Sequence, residues 1–518
     1  MSVALPTFTA TPVDKIPVYA QELRNSFNAG KTRDLDFRIT QLRKFYWALK
    51  DREEKFFAAV KKDINKSAYE TLLTEFLFVL NDIIYAADNL KKWAKPEKLD
   101  GVDFTFSIMK PMTRKDPLGS VLVIGAFNFP FQLTLLPVIG AIAAGNTVVL
   151  KPSEVSSNSA AVIQEAMEAS LDSSCYRCIQ GAIPETQALL SQKWDKICYT
   201  GGERVAKIVA QAAVPNLTPL LLELGGKNPA FVTKNANVKI AARRLAWGKC
   251  TNAGQVCVSQ NYMLVDKEVV DSFIAALKAN IQEFYPEGAE NSPDYGRIVN
   301  INHFRRIKGM IDSSKGEIVF GGKTDEKTLF IEPTIIKTTH TDDPVLTEES
   351  FGPIFTVLPV NNLDEAIDIA NSIDPTPLGC YPFGNSKETE KVLSRFRSGG
   401  ASINDSFMHA SIANIPFGGV GSSGMGAYRG KHSFDAFVHR RTVTSTPTLS
   451  LIEKALFVRY APYKGKAAIW RGATEKRPNF DREGKSTGGL LNWLIWIVTL
   501  GGGKSKSGLT RSTVAVVG

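Results

Sequence analysis

Three residues of this chain have the types and placing needed for chemistry at a carbonyl carbon. Cys257 lies in Asn252-Ala253-Gly254-Gln255-Val256-Cys257-Val258-Ser259-Gln260, a polar, glycine-bearing stretch after a helical pattern, so it reads as presented rather than packed. By itself this is weak ground, because free cysteine is among the most buried residue types. A cysteine nucleophile also needs a base, a donor for an oxyanion and an electron acceptor. Glu223 closes the apolar run Pro219 to Leu224, ahead of a glycine turn. A carboxylate there is costly unless it is paired or protonated, and either condition marks a candidate general base; a salt bridge to Lys227 is the plainer alternative. Asn128, in Gly125-Ala126-Phe127-Asn128-Phe129-Pro130, is a neutral amide at a strand-to-helix junction. It can donate to an oxyanion without bringing a charge of its own; a turn asparagine before proline is the plainer alternative.

Further junctions offer an acceptor site. Lys151-Pro152-Ser153-Glu154 places a lysine at the end of a buried strand and Glu154 in the next helix, able to grip the hydroxyls of a ribose. The alternative is an N-capping Ser153 among solvated charges. Thr200-Gly201-Gly202 offers free amides at a helix N-terminus, suited to pyrophosphate, although Ala206 breaks the GxGxxG spacing. Glu348-Glu349-Ser350-Phe351-Gly352-Pro353 sets a carboxylate and a ring two residues apart, able to meet a ribose and a nicotinamide. The candidate catalytic residues are therefore Cys257, Glu223 and Asn128, and the candidate cofactor residues Lys151, Glu154, Gly201, Gly202, Glu349 and Phe351. No metal site is expected: Cys175 and Cys178 form a Cys-x-x-Cys pair with no second ligand pair nearby.

Singly these signals are weak; their order and spacing are not. Asn128, Lys151, Gly201, Glu223, Cys257, Glu349 and Phe351, each in its motif, resemble the aldehyde dehydrogenase superfamily over roughly Leu35 to Arg441. Asn414-Ile415-Pro416-Phe417, and then Met425 to Phe434, resemble its class 3 branch, which includes fatty aldehyde dehydrogenases. The resemblance implies that the Cys257 thiolate adds to an aldehyde, while Asn128 and the Cys257 amide hold the oxyanion. Hydride would leave for a nicotinamide bordered by Phe351 and held at its ribose by Glu349. Glu223 would then activate the water that hydrolyses the thioester. NAD is the implied cofactor, because Glu154 near the adenosine ribose would repel a 2′-phosphate; NADP is the alternative. Two rivals stand: a CoA-acylating semialdehyde dehydrogenase, against which Glu223 speaks, and a catalytically inert membrane-associated scaffold.

These residues need a frame. After Pro117 short apolar runs alternate with helical stretches: Ser120 to Gly125, Thr147 to Leu150, Arg177 to Gln180, Lys196 to Tyr199 and Pro219 to Leu224 read as buried strands. The alternation implies an α/β fold with a parallel sheet covered by helices, whose ligands bind at the strands' carboxyl ends. Ahead of it, apolar residues from Leu35 to Lys62, and again from Leu72 to Leu90, recur at helical spacing, with a break near Asp51. Phe104, Phe106 and Ile108 alternate with polar residues, as in a strand or hairpin. Strands at Tyr262 to Val265, Glu317 to Phe320 and Ile354 to Val360, with helices between, form a second α/β unit. The resemblance divides the chain into a Rossmann-like cofactor domain (residues 1–100 and 118–225) and a catalytic domain (226–430). It adds a small β bridging or oligomerisation element (101–117 and 431–448) and a tail (449–518), and it implies a homodimer.

The 518 residues are 44% hydrophobic, ordinary for a globular chain. The net charge of +10 is scattered, with no basic run of the kind that binds nucleic acid. Six cysteines without a disulfide pattern fit a reducing compartment, and the N-terminus has no apolar signal region. Near the end, residues 488–503 are uncharged, with an apolar core at 490–500. As a helix they would span about 24 Å against roughly 30 Å of hydrocarbon, so an interfacial or partly inserted anchor fits better than a full span; a helix packed on the body or on a dimer partner is the alternative. Trp493 and Trp496 suit the headgroup region. The expected location is the cytosolic face of an intracellular membrane, or the cytoplasm. An anchored enzyme of this branch points to a long apolar aldehyde: a fatty aldehyde first, an apocarotenoid aldehyde second.

Overall fold

The computed structural model describes residues 3–476 and 478–486. The chain divides into two units, Met1–Lys95 with Lys115–His439, and Pro96–Arg114 with Arg440 onward.

The first unit holds two large sheets and a small hairpin of Thr324–Asp325 with Phe330–Ile331. Ser120–Ile124 and Thr147–Lys151 are buried at every position, which is why they read as unbroken apolar runs: both faces of the sheet are covered. The six-stranded sheet runs in the order Gly424–Met425, Leu220–Glu223, Lys196–Thr200, Ser120–Ile124, Thr147–Lys151, Tyr176–Cys178. All its pairings are parallel except that of Gly424–Met425 with Leu220–Glu223. The chain steps outward from Ser120–Ile124 to one edge and then returns to the other side. A crevice therefore opens where Ser120–Ile124 and Lys196–Thr200 lie side by side. The helix Gln132–Ala144 is buried throughout and stops at Gly145, whose φ of 91° lets its N–H reach back to the Ala141 and Ile142 carbonyls.

The second sheet has seven strands, in the order Glu317–Phe320, Thr334–Lys337, Ile354–Val360, Tyr262–Asp266, Pro229–Val232, Gly379–Phe383, Gly400–Ala401. Its pairings are parallel apart from the first. The strands Glu317–Phe320 and Ile354–Val360 have the bounds read from the sequence.

The N-terminal helices Leu35–Lys50 and Glu53–Ile64 are separated at Asp51 and Arg52, as the break in periodicity predicts. The stretch read as one helix from Leu72 is a π-turn, Leu72–Phe76, followed by the helix Leu77–Trp93. The extra residue of that turn carries Glu75 inward, where its carboxylate meets Lys66 at 2.8 Å with both side chains fully buried.

The second unit departs from the sequence reading in one place. Phe104–Ser107 is a single helical turn rather than part of a strand or hairpin, closed by Phe106 N–H donating to the Asp103 carbonyl. Three apolar residues over five positions satisfy one turn of helix as well as a strand, and tertiary contact decides: the Phe106 ring lies 6.0 Å from that of Trp470 in the same unit. Extended structure begins only at Met112–Pro117, which lies between Glu97–Lys98 and Val438–Val443 in a three-stranded sheet.

Candidate active site

The carboxyl edge of the six-stranded sheet lines up the first group of candidates. Register sets Ile124 abreast of Lys151 and Tyr199, and Thr200 abreast of Glu223. Lys151 is buried and donates from Nζ to Glu154 Oε2 at 2.5 Å. Thr200 Oγ1 is buried without a partner. Gly202 caps the helix Glu203–Ala213 and has open space where a Cβ would stand. A Cβ on Gly201 would lie 2.3 Å from the Tyr199 hydroxyl, so only glycine fits there. Of the two amides expected free at this helix N-terminus, the Gly201 N–H donates to the Glu223 carbonyl at 3.0 Å in continuation of the sheet ladder. An unsatisfied hydroxyl, a lysine–carboxylate pair and the glycine turn at a helix N-terminus could hold a dinucleotide, with Lys151 and Glu154 for a ribose and the Gly201-Gly202 turn for pyrophosphate.

The cysteine loop is built by backbone strain. Asn252, Ala253 and Gly254 take φ values of 52°, 50° and 75°, three left-handed residues in succession, two of them not glycine. Hydrogen bonds hold the strain in place. Asn252 N–H donates to Glu70 Oε1 at 2.8 Å, and Asn252 Nδ2 donates to the Asn128 carbonyl at 2.8 Å and the Gln255 carbonyl at 3.1 Å. Gln255 in turn donates to the Arg297 carbonyl and accepts from Val299 N–H. Asn128 Nδ2 donates to the Gln255 carbonyl at 3.0 Å, which uses one of its two amide hydrogens. On the far side of the cysteine, Asn228 Nδ2 donates to the Cys257 and Ser259 carbonyls, both at 2.8 Å, while Asn228 Oδ1 accepts from Gly379 N–H. Sequence reading found Asn128 but missed the holding roles of Asn252, Gln255 and Asn228. Asn228 follows the Gly225-Gly226 turn, and only that position hinted at it.

Cys257 is half-exposed, and the other five cysteines are buried. Burial of its sulfur pushes the thiol up to about 12, with the Glu223 and Glu349 carboxylates adding to the rise and Arg429 opposing it. Glu223 makes no salt bridge to Lys227: it is 2% exposed and neither carboxylate oxygen has a partner. Burial holds it well above the usual carboxylate range, again opposed by Arg429. Glu349 is raised to about 7, chiefly by burial, against the Gly226 N–H and the charges of Arg306, Lys249 and Lys227. Gly225 makes room for it, since a Cβ there would lie 2.3 Å from Glu349 Oε1. Arg306 fixes the loop by donating to the Glu349 carbonyl at 3.0 Å and the Ser350 carbonyl at 2.8 Å. Phe351, at φ 44°, sets its ring 5.8 Å from that of Phe127. Cys257, Glu223, Glu349 and Asn128 thus converge, while Lys151, Glu154 and Gly202 lie along the sheet edge.

A cavity of about 280 Å³ opens on Cys257, and Phe78, Phe129, Trp247, Phe407 and Phe417 supply its aromatic wall. The lining is mostly apolar, with the Cys257 sulfur at one part of it.

The match of a family model decides the chemistry of this arrangement: the description "Aldehyde dehydrogenase family" covers residues 4–443. The chain belongs to the aldehyde dehydrogenase family. This dehydrogenase is 48% identical over 518 residues to the beta-apo-4'-carotenal oxygenase of Neurospora crassa, an alignment spanning 100% of this chain and 97% of that one. It is 41% identical over 462 residues to the dimeric, NADP-preferring aldehyde dehydrogenase of Canis lupus familiaris, covering 88% of this chain and 99% of that one. Among solved structures, the substrate-bound state of Staphylococcus aureus AldH superposes with a TM-score of 0.85 at 40% identity, covering 89% of the dehydrogenase and 99% of its own chain. Oxidation of an aldehyde with a nicotinamide cofactor, NAD or NADP, is the reaction the family performs.

Proposed function

We propose that this dehydrogenase oxidises a long polyene aldehyde of the apocarotenoid type to its carboxylic acid, with NAD as cofactor. The observation that carries the substrate class is the aromatic wall of the Cys257 cavity, whose flat rings can lie along a conjugated chain. Similarity to an apocarotenal enzyme over the whole length supports it. About 280 Å³ is near the lower end of small-molecule sites, so the cavity encloses only the aldehyde-bearing end of a long substrate. A fatty aldehyde, the first choice on sequence alone, is the runner-up, since the cavity also offers Leu73 and Leu133 to an aliphatic chain. Turnover of purified protein on a panel of saturated, unsaturated and polyene aldehydes tests the choice. The polyene aldehydes should show the highest kcat/KM; equal or better turnover of saturated chains of matched length overturns it.

The residues then take these roles. Cys257 as thiolate adds to the aldehyde carbon. The free amide hydrogen of Asn128 and the Cys257 N–H receive the resulting oxyanion. The nicotinamide, when bound, supplies the hydride acceptor, and Lys151, Glu154, Gly201, Gly202, Glu349 and Phe351 would hold its dinucleotide. Glu223 takes a proton from water as that water attacks the thioester, releasing the acid and restoring the thiol.

Glu154, paired with Lys151 at the sheet edge, favours NAD by repelling a 2′-phosphate. The ratio of kcat/KM for NAD over NADP should fall in Glu154→Gln, and an unchanged ratio removes this basis for the preference. We assign the six-stranded sheet, within residues 1–100 and 118–225, to cofactor binding and the seven-stranded sheet, within 226–430, to catalysis. Residues 101–117 and 431–448 are assigned to a homodimer contact, supported by the dimeric relative. Among the described residues no helix is long and apolar enough to cross a membrane. The apolar segment 490–500 lies outside the described residues; its composition supports an interfacial contact with a cytosol-facing bilayer.

A further inference from the structure

Among the described residues lining the cavity on Cys257, Arg429 alone carries a formal charge, and the acyl-transfer scheme leaves it without a task. It is 2% exposed. Its guanidinium carbon lies 4.0 Å from the centre of the Phe417 ring and 5.0 Å from that of Phe78. One end of the guanidinium donates to the Ala410 carbonyl, and Nε is buried with no partner. The backbone φ of 97° is strained for a residue with a side chain. The strain is held by neighbours on both sides. Arg429 N–H donates to Ser433 Oγ at 2.7 Å, and Tyr428 exchanges two backbone hydrogen bonds of 3.0 Å with Phe417. Asp82, on the helix Leu77–Trp93, accepts from Gly430 N–H at 3.2 Å rather than pairing with the guanidinium. A desolvated cation in a stiff aromatic bracket, without a contact ion pair, has its field directed into the cavity.

We propose that Arg429 is the fixed cation of this site, favouring the thiolate of Cys257 across the cavity that both residues line, and with it the Glu223 carboxylate, without pairing with either. A contact ion pair would engage the oxygens that Glu223 needs for water, and both of those oxygens are unpartnered. The coupling runs in the required sense, since Arg429 lowers both acids against the rise that burial imposes. The other titratable groups facing the site are Glu349, which opposes ionisation of Cys257, Tyr381, also beside Cys257, Cys198, beside Glu223, and Asp82, Tyr428 and His409, which face Arg429 itself. Arg429 acts here as a positioning residue for charge.

This rests on Cys257 being the nucleophile, and the test reads the thiol without turnover. Cys257 in the cofactor-free, full-length protein is alkylated with iodoacetamide across the neutral to mildly alkaline range, and the modified peptide is quantified by mass. Arg429→Met should slow the alkylation about tenfold at any pH below the thiol pKa, the effect of one unit of upward shift. Arg429→Lys should keep most of the wild-type rate, and Asp82→Asn, which removes a compensating anion while keeping the acceptor for Gly430, should raise it. The proposal is overturned by wild-type rates in Arg429→Met, by Arg429→Lys as slow as Arg429→Met, or by Asp82→Asn at or below the wild-type rate. Turnover surviving in Cys257→Ala would instead remove the nucleophile assignment, whatever the alkylation rates.

Discussion

Burial disfavours the charged form of both Cys257 and Glu223, pushing the thiol up to about 12 and the carboxyl well above its usual range. Removing either group should separate the half-reactions: Cys257→Ala should abolish NADH formation, whereas Glu223→Gln should give a burst of about one equivalent per subunit and then stall as acyl enzyme. Intact-mass spectrometry of the stalled protein checks this, and steady turnover without a burst in Glu223→Gln counts against the base. Glu349 makes a pH prediction. Its folded value of about 7 lies above the ordinary 4.5, so between these values the folded protein holds more protons than the unfolded chain. Stability from this group is present below about 4.5 and lost as pH rises through about 7. Glu349→Gln should therefore gain on the wild type over that window, by about 3 kcal/mol, in urea unfolding at successive pH values; parallel curves would refute it. The candidate residues could be named from sequence because each stands in a short motif at a junction between elements: Lys151 and Glu223 at strand ends, Cys257 after the helix Val238–Cys250. Arg429 could not be, because its place beside Cys257 is made by the fold and its local string is merely rich in glycine and serine.

At the scale of elements, the π-turn Leu72–Phe76 and the left-handed cysteine loop are two irregular pieces beside the site, and each has a variant that reads it. Glu75 meets Lys66 and also accepts Phe131 N–H at 2.9 Å, tying the turn to the Asn128 junction. Glu75→Gln leaves the Lys66 charge buried and should cost about 3–5 kcal/mol, whereas Glu75→Gln with Lys66→Met should recover much of it. Denaturant midpoints with unchanged slopes measure both, and a double variant worse than the single one would sink the account. Gly254→Ala tests the loop. A Cβ there would lie 2.2 Å from the Gly352 carbonyl oxygen, so it should force the Cys257 and Phe351 loops apart, lowering both the melting temperature and the rate of Cys257 alkylation. An alkylation rate equal to that of the wild type would show that the left-handed run does not position the sulfur. The central strands, such as Ser120–Ile124 and Thr147–Lys151, were readable because burial on both faces makes them almost unbroken apolar runs. The π-turn and the turn at Phe104–Ser107 were not, since one residue of extra helix, or a single turn, leaves no period in the sequence.

For the molecule as a whole, deleting residues 488–518 should lower partition onto anionic vesicles while leaving turnover of short, soluble aldehydes unchanged; equal partition of the two forms would refute the contact. The fold class was legible because strand and helix alternate along the chain, but the pairing of Gly424–Met425 was not, for a two-residue strand is fixed only by its partner. That pairing has a further consequence. Gly424 lies opposite Glu223, Leu224 N–H donates to the Ser423 carbonyl at 3.0 Å, and the same excursion of chain carries Phe417 and Arg429 into the cavity wall. The wall proposed to select the aldehyde and the carboxylate proposed to activate water are therefore coupled through one strand pairing. Substrate range could drift by exchanging residues on Leu73 or Leu133, but a transplanted wall from a relative would have to bring its own Leu220–Glu223 strand with it, or give up hydrolysis for a new fit.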